Sequence, residues 1–226
     1  MRLKNKPWAN QLIDDHPEAA LDRPDPEVKI DWDSRFAKKQ PIEIEIGSGK
    51  GQFITTLAKQ HPEKNFIAME IQKTAAGIIL KKKLDEGLDN LQILCADAAN
   101  LVAYFGQNST NRIYLNFSDP WPKTRHEKRR LTYRSFLEEY RQVLTADGMI
   151  EFKTDNAGLF AYSLKSILTS CPLTFTMKKK KSWPPTSKPS TSTNLPQKAT
   201  RSTACTLIFW TRTDKSGKIS LKRFHL

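Results

Sequence analysis

From residue 42 onward the chain alternates between short apolar runs and amphipathic stretches. IEIEIG (42–47) sets Ile42, Ile44 and Ile46 against Glu43 and Glu45, a period of two that predicts a strand. GSGKG (47–51) then forms a glycine-rich turn, and FITTLAKQH (53–61) has helical spacing. NFIAMEI (65–71) predicts a second strand and TAAGIILKKKLDEG (74–87) a helix closed by its glycine. LQILCAD (91–97) and RIYLNFSDP (112–120) supply the third and fourth strands, the latter ended by proline. A helix follows over 132–145, where Phe136, Leu137, Tyr140, Val143 and Leu144 fall on one face. GMIEFKTD (148–155) is a fifth strand, LFAYSLKSIL (159–168) a helix and LTFTMKK (173–179) a sixth strand. Strands separated by helices imply an α/β fold, a doubly wound, Rossmann-like parallel sheet with helices on both faces.

Three segments follow from this pattern. Residues 1–40 are polar and punctuated by prolines, a basic arm with a short helix; residues 41–177 form the α/β domain; residues 178–226 differ in character. The net charge of +13 is concentrated in that last segment, which holds 12 Lys/Arg and a single acid, Asp214, whereas residues 1–177 hold 25 Lys/Arg against 23 Asp/Glu. No apolar run approaches the ~18–20 residues of a membrane helix, and the N-terminus lacks the apolar stretch of a signal peptide. Three widely spaced cysteines, Cys95, Cys171 and Cys205, argue against a disulfide framework or zinc cluster, so an intracellular, cytoplasmic protein without a bound metal is expected.

The glycine turn predicts a ligand, because Gly47, Gly49 and Gly51 let backbone approach it closely. A P-loop is excluded: Gly51 follows Lys50 where Ser or Thr is required, and Ile44 occupies the first glycine position. A dinucleotide fingerprint fits poorly, since the third glycine comes one residue early and Glu45 would face a pyrophosphate. A carboxylate there suits a cation, and S-adenosylmethionine carries an ammonium and a sulfonium. Glu70, 19 residues beyond Gly51, ends the second strand, where an acid accepts hydrogen bonds from ribose hydroxyls; Asp97 ends the third, at the adenine edge. Three acids at successive strand ends beside this turn favour S-adenosylmethionine over a chance set of exposed carboxylates.

NFSDPWPKTRHEKRR (116–130) is the most informative stretch. Asp119 leaves a strand just before Pro120-Trp121-Pro122, which stiffens the loop, and five cations follow: Lys123, Arg125, Lys128, Arg129 and Arg130. Such a run suits a phosphate backbone, or is a solvated charged loop; Trp121 stacks on a base, or packs. The sequence leaves both pairs open. His126, a lone histidine among cations, is not read as catalytic.

EIGSGKGQF, FIAMEIQ, LCADA, NFSDPWPKTRHEKRRL and FKTDN, in this order, closely resemble the bacterial tRNA (guanine-N7-)-methyltransferases over about residues 1–170. The resemblance implies that Glu45, Gly47, Gly49, Glu70, Asp97 and Asp119 bind S-adenosylmethionine, with Asp119 also the active-site residue. It implies that Lys123 and Asp155 contact the substrate, and that Arg125, His126, Glu127, Lys128, Arg129 and Arg130 contact tRNA. Asp155 otherwise reads as a strand-end or helix-capping acid. The chemistry is consistent: guanine N7 has a lone pair and no proton, so alignment matters more than a general base. A carboxylate holding the N1/N2 edge would stabilise the ring as it becomes cationic, and the base must leave its stack. No metal is called for. Partners beyond tRNA are a monomer or homodimer, without a membrane. Rival functions are a methyltransferase of another substrate and a catalytically impaired RNA-binding homologue.

Members of that family continue after the sixth strand into a motif like T-x-Y-E-x-K-F…K-G-x-x-x-Y, which this chain lacks; no strand is expected after residue 177. SWPPTSKPSTSTNLPQKATRSTACT (182–206) is rich in Ser, Thr and Pro, a composition that favours disorder. Thr191 to Asn194 can be encoded ACG-AGT-ACG-AAT, which read two bases on gives Glu-Tyr-Glu, and Gln197 to Thr203 yields Lys-Gly-Asn-Pro-Val-Tyr in the same frame. The tail from about 178 therefore reads as a frameshift product near the codons of Lys178–Lys181, in preference to a basic RNA-binding extension.

Overall fold

The computed structural model describes residues 4–170, 174–177 and 205–210. Among these residues eight strands form one sheet: β1 (Ala20–Asp22), β2 (Ile42–Ile46), β3 (Asn65–Met69), β4 (Leu91–Cys95), β5 (Thr110–Asn116), β6 (Leu144–Thr154), β7 (Thr174–Met177) and β8 (Cys205–Trp210). Their order is β1-β4-β3-β2-β5-β6-β8-β7. The pairs from β1 through β6 are all parallel, while β8 runs antiparallel to both β6 and β7. The chain winds outward from β2 through β3 to β4, then returns to lay β5 on the other side of β2. That reversal creates a crevice at the carboxyl ends of β2 and β5, where ligands of open α/β sheets bind.

Among the described residues six helices flank the sheet: α1 (Pro7–Asp15), α2 (Gln52–Gln60), α3 (Lys73–Glu86), α4 (Leu101–Phe105), α5 (Arg134–Val143) and α6 (Ala157–Ser170). The period-two alternation divides the core between two faces. Ile44, Ile46, Ile67, Met69 and Leu94 pack with Leu137, Tyr140 and Leu159 of α5 and α6. Phe66, Ala68, Leu91 and Ile93 pack with Ile54, Ile79 and Ile13 of α2, α3 and α1. Among the described residues no helix is long and apolar enough to cross a membrane.

The polar N-terminal segment is bound into this sheet. β1 pairs with β4 in register Ala20↔Ile93 to Asp22↔Cys95, and α1 lies on α3. On the opposite face Trp32 donates its indole N–H to the Tyr104 carbonyl at 2.8 Å and stacks on Phe105 at 5.1 Å. Three residues hemmed by prolines gave no periodicity from which β1 could be predicted.

One expectation is corrected at β8. The absence of a strand after residue 177 followed from the missing family motif, yet the run CTLIFW is apolar, β-branched and aromatic. It pairs with β6 over six residues, from Met149↔Trp210 to Thr154↔Cys205, and carries β7 on its outer edge. Of the disorder expected over 182–206, residues 205 and 206 instead open β8, and the rest, with the lysine run, lies outside the described residues.

α1 approaches α3 so closely that a Cβ built on Gly77 would lie 2.0 Å from the Ala9 carbonyl oxygen. Gly77→Ala therefore forces the two helices apart. Despite the ~1 kcal/mol gained in helix propensity, the clash is expected to lower unfolding free energy by about 1–3 kcal/mol in urea titrations.

Candidate active site

The glycine turn follows β2 directly and its backbone amides are already engaged. The Gly47 and Ser48 amides donate to the Met69 carbonyl at 2.9 and 3.1 Å, and the Gly51 amide to the Ser48 carbonyl at 2.8 Å. The Gly49 amide donates to Glu70 Oε2 at 2.8 Å. These bonds take up the amides of Gly47, Ser48, Gly49 and Gly51. Gly47 and Gly49 have φ of +73° and +55°, and a Cβ built on Gly49 would meet nothing within 4 Å. The backbone thus borders open space in a conformation that L side chains rarely adopt.

Beneath this turn Glu45 is 3% exposed. Asn116, the last residue of β5, donates its Nδ2 to Glu45 Oε1 at 2.8 Å across the crevice. Glu45 Oε2 and Asn116 Oδ1 are both buried without a hydrogen-bond partner. Burial pushes the Glu45 carboxyl up to about 7, against the Asn116 bond, the Ser48 hydroxyl, the Ile54 amide and the Lys153 charge, which all favour the anion. Two orphaned acceptor oxygens, one on a carboxylate, fit a cationic N–H donor and would repel an anion.

Glu45 is one end of a charged ladder on the α2 face of the sheet. Tyr114 donates its hydroxyl to Glu43 Oε2 at 2.6 Å, and Lys64 Nζ lies 2.9 Å from Glu43 Oε1. Arg112 lies 4.0 Å from both Glu43 and Glu151, and Lys153 pairs with Glu151 at 2.6 Å. Lys153 also lies over the Phe53 ring at 5.0 Å, and Phe53 meets Tyr114 edge-on. The apparent outward positions of IEIEI are therefore buried, each of its acids compensated differently.

The other predicted acids are placed as follows. Glu70 is buried at the end of β3 and accepts from the Gly49 and Gln72 amides, so it latches the turn to the neighbouring strand. Asp97 is exposed and accepts from the Ala99 amide, capping the 3-10 turn after β4. Asp119 is exposed beyond β5 and takes no hydrogen bond from another described residue. Asp155 does not cap α6: Asn156 Oδ1 accepts the Leu159 amide at 2.8 Å, leaving Asp155 exposed at the mouth of β6.

The loop after β5 is a clamped structure. Arg130 donates Nε and Nη2 to the Trp121 carbonyl at 3.3 and 3.0 Å and lies over Tyr162 of α6 at 4.2 Å. The Glu127 carboxylate bonds the Tyr162 hydroxyl, which burial pushes up to about 12. Thr132 and Ser163 share a buried 2.7 Å hydrogen bond. His126 sits edge-on to Trp121 at 5.7 Å, and Arg129 covers the same indole at 5.0 Å. Lys123, Arg125 and Lys128 remain exposed, with no ion-pair partner among the described residues. The run of cations thus divides into Arg129 and Arg130, which hold the loop, and three that face outward. Asn116, Lys153, Phe53 and Tyr162 had not been singled out; Asn116 and Lys153 lie within the NFSDP and FKTD motifs, the only signal they gave.

The comparisons agree with this geometry. Residues 39–205 match a family model described as "Putative methyltransferase". The chain is 81% identical over 167 residues to a tRNA (guanine-N(7)-)-methyltransferase of Lactobacillus delbrueckii subsp. bulgaricus, covering 74% of this chain and 77% of the relative. The enzyme of the same name from Lactobacillus helveticus is 68% identical with the same coverage. Among solved structures, a SAM-dependent O-methyltransferase of Thermotoga maritima shares the fold at a TM-score of 0.56 and 16% identity, over 79% of this chain and 62% of that one.

Between pH 4.5 and about 7 the folded protein retains on Glu45 a proton that the unfolded chain has lost, so this group makes stability fall as pH rises through that window. Above it the deficit is on the order of 3 kcal/mol. Glu45→Gln is expected to raise the melting temperature at pH 8 and to leave it nearly unchanged at pH 4.5, measured by calorimetry.

Proposed function

Because the chain belongs to the tRNA (guanine-N(7)-)-methyltransferase family, we propose that the crevice between β2 and β5 transfers a methyl group from S-adenosylmethionine to N7 of a guanine in tRNA. The observation that carries this reading is Glu45: a buried carboxylate with one unpartnered oxygen, under a turn whose glycine amides are engaged. Glu45 and Asn116 would hold the cationic amino end of the cofactor. Gly47 and Gly49 would line its body, Glu70 has a second lone pair on each oxygen for the ribose, and Asp97 faces the adenine end. When bound, S-adenosylmethionine supplies a methyl group whose bond to sulfur breaks toward the sulfur as N7 donates its lone pair.

Asp119 serves from the substrate side. Its carboxylate would accept hydrogen bonds from guanine N1 and N2, fixing the ring in line and stabilising the positive charge that develops on it. Lys123 and Asp155, exposed after β5 and β6, flank the same opening. Arg125 and Lys128 would neutralise tRNA phosphates, while Arg129 and Arg130 keep the loop in shape. A cytoplasmic location follows from a tRNA substrate, and a monomer or homodimer remains the expected state, with residues 41–177 as the methyl-transfer unit.

The segment from about residue 178 is read as frame-shifted. About a quarter of both this chain and its relatives lies outside their match; a simple extension would leave the relatives matched throughout. β8 and the family match to residue 205 weigh on the other side. Coding DNA without an adenine tract at the lysine codons would overturn the frameshift.

Incubating this chain with labelled S-adenosylmethionine and unmodified tRNA should yield 7-methylguanosine, and Asp119→Asn should slow the transfer about a hundredfold. Absence of that nucleoside with both this chain and a frame-restored version would refute the function. Arg125→Met and Lys128→Met should each lower the slope of log affinity against log salt by about 0.7–0.9, and Arg130→Met should not. Cofactor affinity should weaken from pH 8 to pH 6 by about tenfold more in the wild type than in Glu45→Gln, because a carboxyl titrating near 7 must ionise to hold a cation.

A further inference from the structure

Trp121 is the aromatic residue that the sequence offers for stacking on a base, and the structure occupies it. His126 meets its edge, Arg129 covers its ring and Arg130 holds its carbonyl. Another aromatic residue stands open. Phe117, first after β5, is 58% exposed and makes no ring contact with another described residue. It lies next to Asn116, which holds Glu45, and two positions before Asp119.

This exposure belongs to an anchored residue. The Phe117 amide donates to the Lys153 carbonyl at 2.8 Å, continuing the Asn116↔Lys153 register of β5 and β6. Its φ is +51°, in the left-handed region that bulky side chains avoid. A large apolar side chain is therefore kept in water, and its backbone kept strained, at the carboxyl edge where substrate must enter. Strain of this kind concentrates where a ligand is gripped.

We infer that Phe117 is the stacking platform for the target guanine and determines its alkylation; this rests on the function proposed above. A guanine drawn from the tRNA stack loses both neighbours, and an aromatic face restores one. The reaction adds a second reason. As the N7–carbon bond forms and the carbon–sulfur bond breaks, the purine ring gains positive charge, and the negative face of a phenyl ring attracts a cation more than a neutral ring. Stacking on Phe117 is thus stronger in the transition state than before it, the condition for raising kcat. Asp119 acts in the plane of the base and Phe117 on its face.

Single-turnover methyl transfer, with S-adenosylmethionine and tRNA saturating, tests this. Phe117→Leu should slow the step by about fivefold to a hundredfold, with cofactor affinity within twofold of wild type and no loss of melting temperature. Phe117→Tyr should restore most of the rate. Progressive fluorination of a phenylalanine inserted at 117, which weakens the negative ring face and leaves its size nearly unchanged, should slow the step progressively. A Phe117→Leu rate within twofold of wild type would overturn the proposal, as would a loss explained by weaker cofactor binding or by unfolding, or a rate indifferent to fluorination. Absence of 7-methylguanosine with both the wild-type chain and its frame-restored version would remove the proposed function and this inference together. An active wild type beside an unimpaired leucine variant removes the inference alone.

Discussion

The hydrogen bond from Asn116 to Glu45 spans the point where the strand order reverses, and the site is arranged around it. A carboxylate that deep needs compensation, and it receives the Asn116 bond with lesser help from Ser48, the Ile54 amide and the Lys153 charge. Its neighbour on the same strand, Glu43, is as deeply buried yet has a lysine, a tyrosine hydroxyl and an arginine about it. Glu43 belongs to the fabric of the sheet; Glu45 is left incomplete. Two glutamates separated by one residue thus differ in kind: Glu43 sits in a structural ion pair, and burial raises the carboxyl of Glu45.

The loop after β5 shows a similar partition among cations. Arg130 reaches back to the Trp121 carbonyl and across to Tyr162, while Glu127 ties down the Tyr162 hydroxyl. These residues make a rigid ledge from a segment that composition alone would call a charged surface. Rigidity matters for a reaction governed by alignment, since a methyl transfer depends on the angle and distance of approach. The outward cations can then engage a polyanion without carrying the loop away.

Much of the framework was legible because it rests on local periodicity. Ile42, Ile44 and Ile46 alternate, GSGKG marks its turn, and acids recur at strand ends, so the parallel sheet and the position of the crevice follow from the chain itself. What stayed hidden depends on partners distant in sequence. Asn116 lies 71 residues from Glu45 and Tyr114 71 from Glu43, and no window reveals either bond. The period-two pattern even assigns both glutamates to an outer face, because it cannot see that α2 covers one and that Lys64 and Arg112 neutralise the other. Asp155 was read as a possible cap when its neighbour Asn156 performs that role. β1 is three residues long, and the apolar run of β8 stands behind a stretch whose serine and proline content favours disorder.

The sheet's last two strands enter in an order opposite to their synthesis. β7 is made before β8, yet its recorded pairing with the sheet is through β8, which sits between it and β6. Until the chain has been translated past Trp210, β6 is an open edge, and an unpaired edge strand invites pairing with any neighbour. Completion of this protein is therefore a late event on the ribosome, and a chain released or altered before that point would expose to other nascent chains the strand that carries Lys153 and leads to Asp155.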